Sequence, residues 1–236
     1  MNYKAVLFDL DATLLLMDQD TFLKTYIGAL SKKMSAHGYD PAEFADALWK
    51  GSYAMIKNDG KRKNCDVFWD YFVSRFGERA ISDQVYFEEF YNKEFKDVKG
   101  ICDFSPASRR VVERIREKGF KTALATSPVF PAIATNERIR WSGLEPEHFE
   151  LVTTYENMSY SKPNPKYYIA VAEMLGVAPD ECLMVGNDVD DDMSAKAAGM
   201  QVFLITDYLV NRQNKDISVY QGGNFADFEK FVEENL

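Results

Sequence analysis

The chain has 236 residues, 46% of them hydrophobic, with 17 Phe and 13 Tyr, which is ample material for one large domain or for a core with an insert. Its net charge of −9 argues against a nucleic-acid backbone or an anionic membrane as partner, while leaving room for a local basic pocket that takes one small anion. Cys65, Cys102 and Cys182 lie far apart without metal-type spacing, no signal peptide is evident, and no apolar run is long enough for a bilayer, so a reduced, cytoplasmic protein is expected.

A first strand is predicted over Lys4 to Phe8. From about Asp18 to Phe95 the pattern is helical throughout. Phe22, Tyr26, Leu30 and Met34 recur every fourth residue and mark one apolar stripe. Phe44, Leu48 and Met55 suggest a second helix after Pro41; Phe68, Phe72 and Phe76 a third; Tyr86, Phe87, Phe90, Tyr91 and Phe95 a fourth. Asn58-Asp59-Gly60 separates the second from the third. Four such helices can close on their own apolar faces as a small bundle.

The pattern then changes to alternating helix and strand. Ser105-Pro106 starts a helix and Gly119 ends it. Strands are predicted at Phe120 to Ala125, Glu150 to Thr154, Cys182 to Val185 and Gln201 to Ile205. Helices are predicted near Ala132 to Trp141, Pro165 to Leu175 and Asp191 to Ala198, with a last one from Phe225 to Glu233. Such alternation predicts an α/β fold: a Rossmann-like, mostly parallel sheet flanked by helices. The helical block interrupts it after the first strand. Residues 1–16 and 98–236 are accordingly read as the α/β core, and residues 17–97 as an inserted α-helical domain.

Active sites of open parallel sheets collect at the carboxyl ends of strands. Four polar features fall there. Asp9 and Asp11 follow the first strand; residues i and i+2 of a strand point the same way, so both carboxylates are expected to face one spot, with Leu10 turned into the core. Thr126-Ser127 follows the strand Thr122-Ala123-Leu124-Ala125. Lys162 sits in Tyr160-Ser161-Lys162-Pro163-Asn164-Pro165, held by two prolines on an extended stretch. Val185-Gly186-Asn187-Asp188-Val189-Asp190-Asp191-Asp192 carries an apolar strand into an acidic helix start. Taken singly, the last three have plain alternatives: a Thr-Ser-Pro turn, a solvated lysine, acids at a helix N-terminus.

Their order and spacing carry the argument. Asp9-Leu10-Asp11-Ala12-Thr13-Leu14 resembles the first motif of the haloacid dehalogenase (HAD) superfamily, usually Asp-x-Asp-Gly-Thr-Leu, with Ala12 in place of the usual Gly. Thr126, Lys162 and the Gly186-Asn187-Asp188 turn resemble the second, third and fourth motifs, and the helical insert resembles a C1-type cap between the first two. The fourth motif usually reads Gly-Asp; here Asn187 takes that place and Asp188 follows, so either supplies the metal oxygen.

This resemblance implies a Mg²⁺-dependent phosphatase. Asp9 would attack phosphorus, Asp11 would act as acid and then base, and Thr126, Ser127 and Lys162 would hold the phosphoryl oxygens. Asp9, Asp11 (through its carbonyl), Asn187 and Asp188 are the implied metal set, and Asp191 or Asp192 would anchor Lys162 or ordered waters. Clustered carboxylates and a phosphate call for a hard cation with oxygen ligands, which suits Mg²⁺. A helical cap favours a small phosphorylated metabolite such as a sugar phosphate, phosphoglycolate or a nucleotide monophosphate. Either a monomer or a homodimer fits.

Several alternatives remain. A phosphomutase would use the same Asp9. A 2-haloacid dehalogenase would typically lack the second aspartate. A phospho-receiver domain carries its paired acids after the first strand but its acceptor after a later one, and has no helical insert. A binding protein with a dead site need not keep Asp9, Asp11 and Lys162 together. Lys57, Lys61, Arg62 and Lys63 form a basic turn in the insert, read first as a solvated loop. Arg138, Arg140 and Trp141 receive no role.

Overall fold

The computed structural model describes residues 2–236. Strand β1 (Ala5–Phe8) is wholly buried and lies at the middle of a six-stranded parallel sheet. A two-residue strand, β2 (Leu16–Met17), leads into five helices: α1 (Gln19–Ser35), α2 (Pro41–Ile56), α3 (Asn64–Phe76), α4 (Arg79–Ser82) and α5 (Gln84–Asn92). A 3-10 segment, Glu94–Ile101, and β3 (Cys102–Asp103) return the chain. β2 and β3 pair antiparallel, Leu16 opposite Asp103 and Met17 opposite Cys102, so the outgoing and incoming chains are fastened together.

Then come α6 (Pro106–Glu117), β4 (Lys121–Leu124), α7 (Ala132–Trp141), β5 (Leu151–Val152), α8 (Pro165–Leu175), β6 (Cys182–Gly186), β7 (Gln201–Ile205), β8 (Gly222–Gly223) and α9 (Phe225–Asn235). The sheet order is β5-β4-β1-β6-β7-β8. Phe8 is level with Leu124 on one side and Val185 on the other. The chain therefore leaves β1, β4 and β6 at one carboxyl edge, where Asp9, Thr126 and Asn187-Asp188 follow. The α/β fold expected from the alternating pattern is the fold observed.

Strand alternation divides the core between the two sheet faces. Val6, Phe8, Leu124, Val185 and Phe203 pack with α6 and α9 on one face, and Ala5, Leu7, Ala123, Met184 and Val202 pack with α8 on the other. The predicted stripe of Phe22, Tyr26, Leu30 and Met34 is buried along α1. It joins the first face through Phe130, whose ring lies 5.1 Å from that of Tyr26.

Three local expectations are corrected. The helical block contains an unpredicted short helix, α4, and α5 stops at Asn92, leaving Phe95 in a 3-10 turn. The predicted strand over Glu150 to Thr154 shortens to Leu151–Val152, although the N–H groups of Glu150 and Thr153 still donate to the Thr122 and Leu124 carbonyls beside it. The helix expected over Asp191 to Ala198 is 3-10, Asp192–Ala198. The Asp188 carboxylate accepts from the N–H groups of Asp190 and Asp191 at its start, and Ser194 Oγ donates to the Asp191 carbonyl.

Candidate active site

β1 ends at Phe8; Asp9 follows directly, its N–H still donating to the Val185 carbonyl at 2.9 Å, and Asp11 stands where the chain enters the turn over residues 12–14. Both still line one cleft of about 160 Å³ at the carboxyl edge, with Thr126, Ser127, Lys162, Asp188, Asp191 and Asp192. Leu10 is fully buried between them, as expected. Ala12 adopts φ +64, in the left-handed region that glycine favours. The turn thus keeps the shape that glycine would allow while carrying a methyl group.

Lys162 is the electrostatic centre. Its Nζ donates to Asp9 Oδ1 at 2.8 Å and to Asp192 Oδ1 at 2.6 Å, and all three residues are buried. Burial alone would push the ammonium down, but the Asp192 and Asp9 carboxylates outweigh it and hold its pKa well above the ordinary value. Asp192 is the acid that anchors Lys162; Asp191 makes no contact with it but lines the cleft. Burial, reinforced by the Asp188 charge, pushes the Asp191 carboxyl up to about 6. Asp192 also folds the fourth segment. Its Oδ2 accepts from the Asp188 N–H at 2.9 Å, and a Cβ on Gly186 would fall 2.1 Å from that oxygen, so only glycine fits.

Asn187 and Asp188 differ in their surroundings. Asn187 is fully buried with its amide occupied: Oδ1 accepts from Thr13 Oγ1 at 3.1 Å and Nδ2 donates to the Tyr208 carbonyl at 2.6 Å. Asp188 lines the cleft, with Oδ2 accepting from Arg212 Nη1 at 2.9 Å. Thr126 is buried, and its carbonyl is pinned by the hydroxyls of Thr153 and Tyr167, each at 2.8 Å. Asn64, buried in the first turn of α3, donates to the Pro128 carbonyl at 3.0 Å and to Ser161 Oγ at 3.1 Å, which ties the helices to the segments before Lys162 and after Thr126.

The sequence reading missed four contributors. Arg138, fully buried on α7, forms an ion pair with Asp11 Oδ2, and its guanidinium lies 4.2 Å from the Phe130 ring centroid. Burial, then the nearby Asp9 charge, pushes the Asp11 carboxyl up, while Arg138 pulls it down. Thr13 links Asp9 to Asn187, Arg212 pairs with Asp188, and Gln19 Nε2 donates to the Asp11 carbonyl at 3.2 Å. A usable signal existed for Arg138: it shares the buried stripe of Ala134, Thr135 and Trp141.

Asp9, Asp11, Asp188, Asp191 and Asp192 line the cleft against Lys162 and Arg212, with Arg138 behind Asp11. Asp11 Oδ1 is buried without a hydrogen-bond partner. Negative charge is therefore in excess, which suits a hard cation. Among the described residues no three acidic, His or Cys side chains form a ready cage, so a cation would need main-chain oxygen or water as well. No helix among the described residues is long and apolar enough to cross a membrane.

A family model described as haloacid dehalogenase-like hydrolase matches residues 3–199. The glyceraldehyde 3-phosphate phosphatase of Methanopyrus kandleri is 26% identical over 231 residues, covering 96% of this chain and 92% of its own. Hexitol phosphatase A of Escherichia coli is 27% identical over 205 residues, covering 87% and 84%. The crystal structure of a HAD phosphatase from Thermococcus onnurineus superposes with a TM-score of 0.60 at 23% identity, covering 97% of each chain.

Proposed function

The chain belongs to the haloacid dehalogenase-like hydrolase family, and from that premise we propose that it is a Mg²⁺-dependent phosphatase that transfers the phosphoryl group of a small metabolite through Asp9. The observation that carries this reading is the contact of Lys162 with Asp9 in a cleft shared with Asp11, Thr126 and Asp188.

Asp9, buried and fixed by Lys162, is the nucleophile. Its carboxylate oxygen forms a bond to phosphorus as the bond from phosphorus to the ester oxygen breaks. Asp11, which lines the cleft beside Asp9, gives its proton to the departing alkoxide. In the second step a water attacks phosphorus and gives its proton to Asp11, and Asp9 leaves as the free carboxylate. Thr126, Ser127 and Lys162 hold the transferring oxygens. Asp9, the Asp11 main-chain carbonyl and Asp188 would hold Mg²⁺, which would offset the charge of the acids and the phosphate. Asp188 lines the cleft whereas Asn187 is fully buried outside it, which favours Asp188 as the ligand of that pair. Residues 17–97 act as the cap over the core of residues 1–16 and 98–236; Gln19, Phe22 and Leu23 of α1 already line the cleft.

The relatives' names, a glyceraldehyde 3-phosphate phosphatase and a hexitol phosphatase, support a small phosphorylated substrate. The test is a screen of phosphorylated metabolites with Mg²⁺, read as phosphate release. Isomer formation from a sugar phosphate without free phosphate would replace this reading with a phosphomutase. Chloride release from a 2-haloacid without Mg²⁺ would replace it with a dehalogenase.

A further inference from the structure

A second cavity, of about 350 Å³, opens between the helical insert and the segment after β4. It is continuous with the catalytic cleft: Leu23, Val129, Phe130, Asp191 and Arg212 line both. A phosphate seated against Lys162 would therefore direct the rest of its ester into this space. The volume falls within the range of small-molecule sites, about 300–1,000 Å³.

The chemistry of its walls is one-sided. Trp49, Phe68, Trp69, Phe87 and Phe130 supply aromatic surface, and Ile27, Leu48 and Ile56 add aliphatic surface. Of the wall's five hydroxyls, those of Tyr26 and Tyr91 are bonded to each other at 2.8 Å, which leaves Ser52, Tyr53 and Tyr155 as the few polar groups on a mainly apolar surface. Charge enters only at the throat, through Asp191 and Arg212. At the mouth Trp49 is 51% exposed and Tyr53 59% exposed, so two large rings meet solvent where an occupant would cover them. A sugar or polyol has a hydroxyl on nearly every carbon and would leave most of them unpaired here.

Resting on the phosphatase reading, we infer that the preferred substrate is the monophosphate of an alcohol whose bulk is aromatic or otherwise apolar, and not of a polyhydroxylated sugar or polyol. The sugar phosphates favoured from sequence alone thereby become the poorer class.

The test compares esters of alkanols, so that leaving-group reactivity stays similar. Phenylethyl and naphthylmethyl phosphate form one set, glycerol phosphate and hexitol phosphate the other, each with Mg²⁺. The apolar esters are expected to show kcat/KM at least about tenfold higher, since a single methylene in an apolar pocket already discriminates by about that much. Trp49→Ala and Tyr53→Ala, at half-exposed rim positions where the fold tolerates truncation, are expected to reduce that preference severalfold, mainly through KM. Equal or better use of the polyol esters would overturn this inference and leave the phosphatase reading standing. Phosphate release from neither set, nor from any other phosphorylated metabolite, would overturn both.

Discussion

Arg138 and Asp11, 127 positions apart in the chain, form a buried ion pair beside the cleft. The pair explains how a carboxyl with one unpartnered buried oxygen is retained next to Asp9. Removing one partner of such a pair strands the other, at a typical cost of about 3–5 kcal/mol. Arg138→Met is expected to destabilise the protein by about 3 kcal/mol. The double variant Arg138→Met/Asp11→Asn is expected to be more stable than Arg138→Met alone. Denaturant unfolding of wild type, both single variants and the double variant measures the coupling; additive losses would show that the pair contributes nothing.

Lys162 holds Asp9 on one side and is held by Asp192 on the other. Lys162→Met removes the ammonium and is expected to lower kcat by about a hundredfold or more, the usual cost of losing one preorganised donor. Asp192→Asn keeps the shape but loosens the lysine, so a smaller loss, about tenfold, is expected. Steady-state kinetics check both. An Asp192→Asn enzyme as impaired as Lys162→Met would mean that Asp192 itself acts on the substrate.

Ala12 occupies a left-handed conformation at φ +64. A side chain there costs about 1–2 kcal/mol, and glycine removes that cost while adding about 0.5–1 kcal/mol of chain entropy to the unfolded state. Ala12→Gly is therefore expected to stabilise the fold by about 0.5–1 kcal/mol, read as a rise in Tm. A fall in Tm would mean that the methyl group packs well enough to offset its strain.

Much of the fold and site was open to reading before any coordinates. The strands β1, β4 and β6 are apolar runs, and the polar residues that follow each stand in the order and spacing of the family motifs. Asp9, Asp11, Thr126, Lys162 and Asp188 accordingly all line the cleft. Arg138 and Arg212 escaped because their partners lie 127 and 24 positions away, and only the folded path brings them together. The difference between Asn187 and Asp188 escaped because both follow the same strand, and only the folded chain puts Asp188 on the cleft wall and Asn187 against Thr13. The second cavity was legible only as one or two aromatics of the insert lining a pocket, with packing as the first reading. Phe68, Trp69 and Phe87 look the same in sequence whether they pack on each other or wall a space.

Metal dependence separates Asp188 from its neighbour. Chelation with EDTA is expected to abolish phosphate release, and added Mg²⁺ to restore it. Asp188→Asn is expected to raise the Mg²⁺ concentration needed for half-maximal activity by about tenfold or more. Asn187→Ala breaks the contacts with Thr13 and Tyr208 and is expected to lower stability with a smaller change in that requirement. Titration of activity against Mg²⁺ decides the assignment, and the reverse order of effects would give the ligand role to Asn187.

The account depends most on Asp9 as the acceptor of the phosphoryl group. The direct measurement is an acid quench during turnover of the best substrate from the screen, followed by peptide mapping of any acyl phosphate by mass spectrometry. A phosphoryl group on the peptide containing Asp9, absent from Asp9→Asn, which also fails to turn over while unfolding like the wild type, is the predicted result. Turnover by Asp9→Asn at a rate near that of the wild type, or a phosphoryl group trapped on another residue, would contradict it.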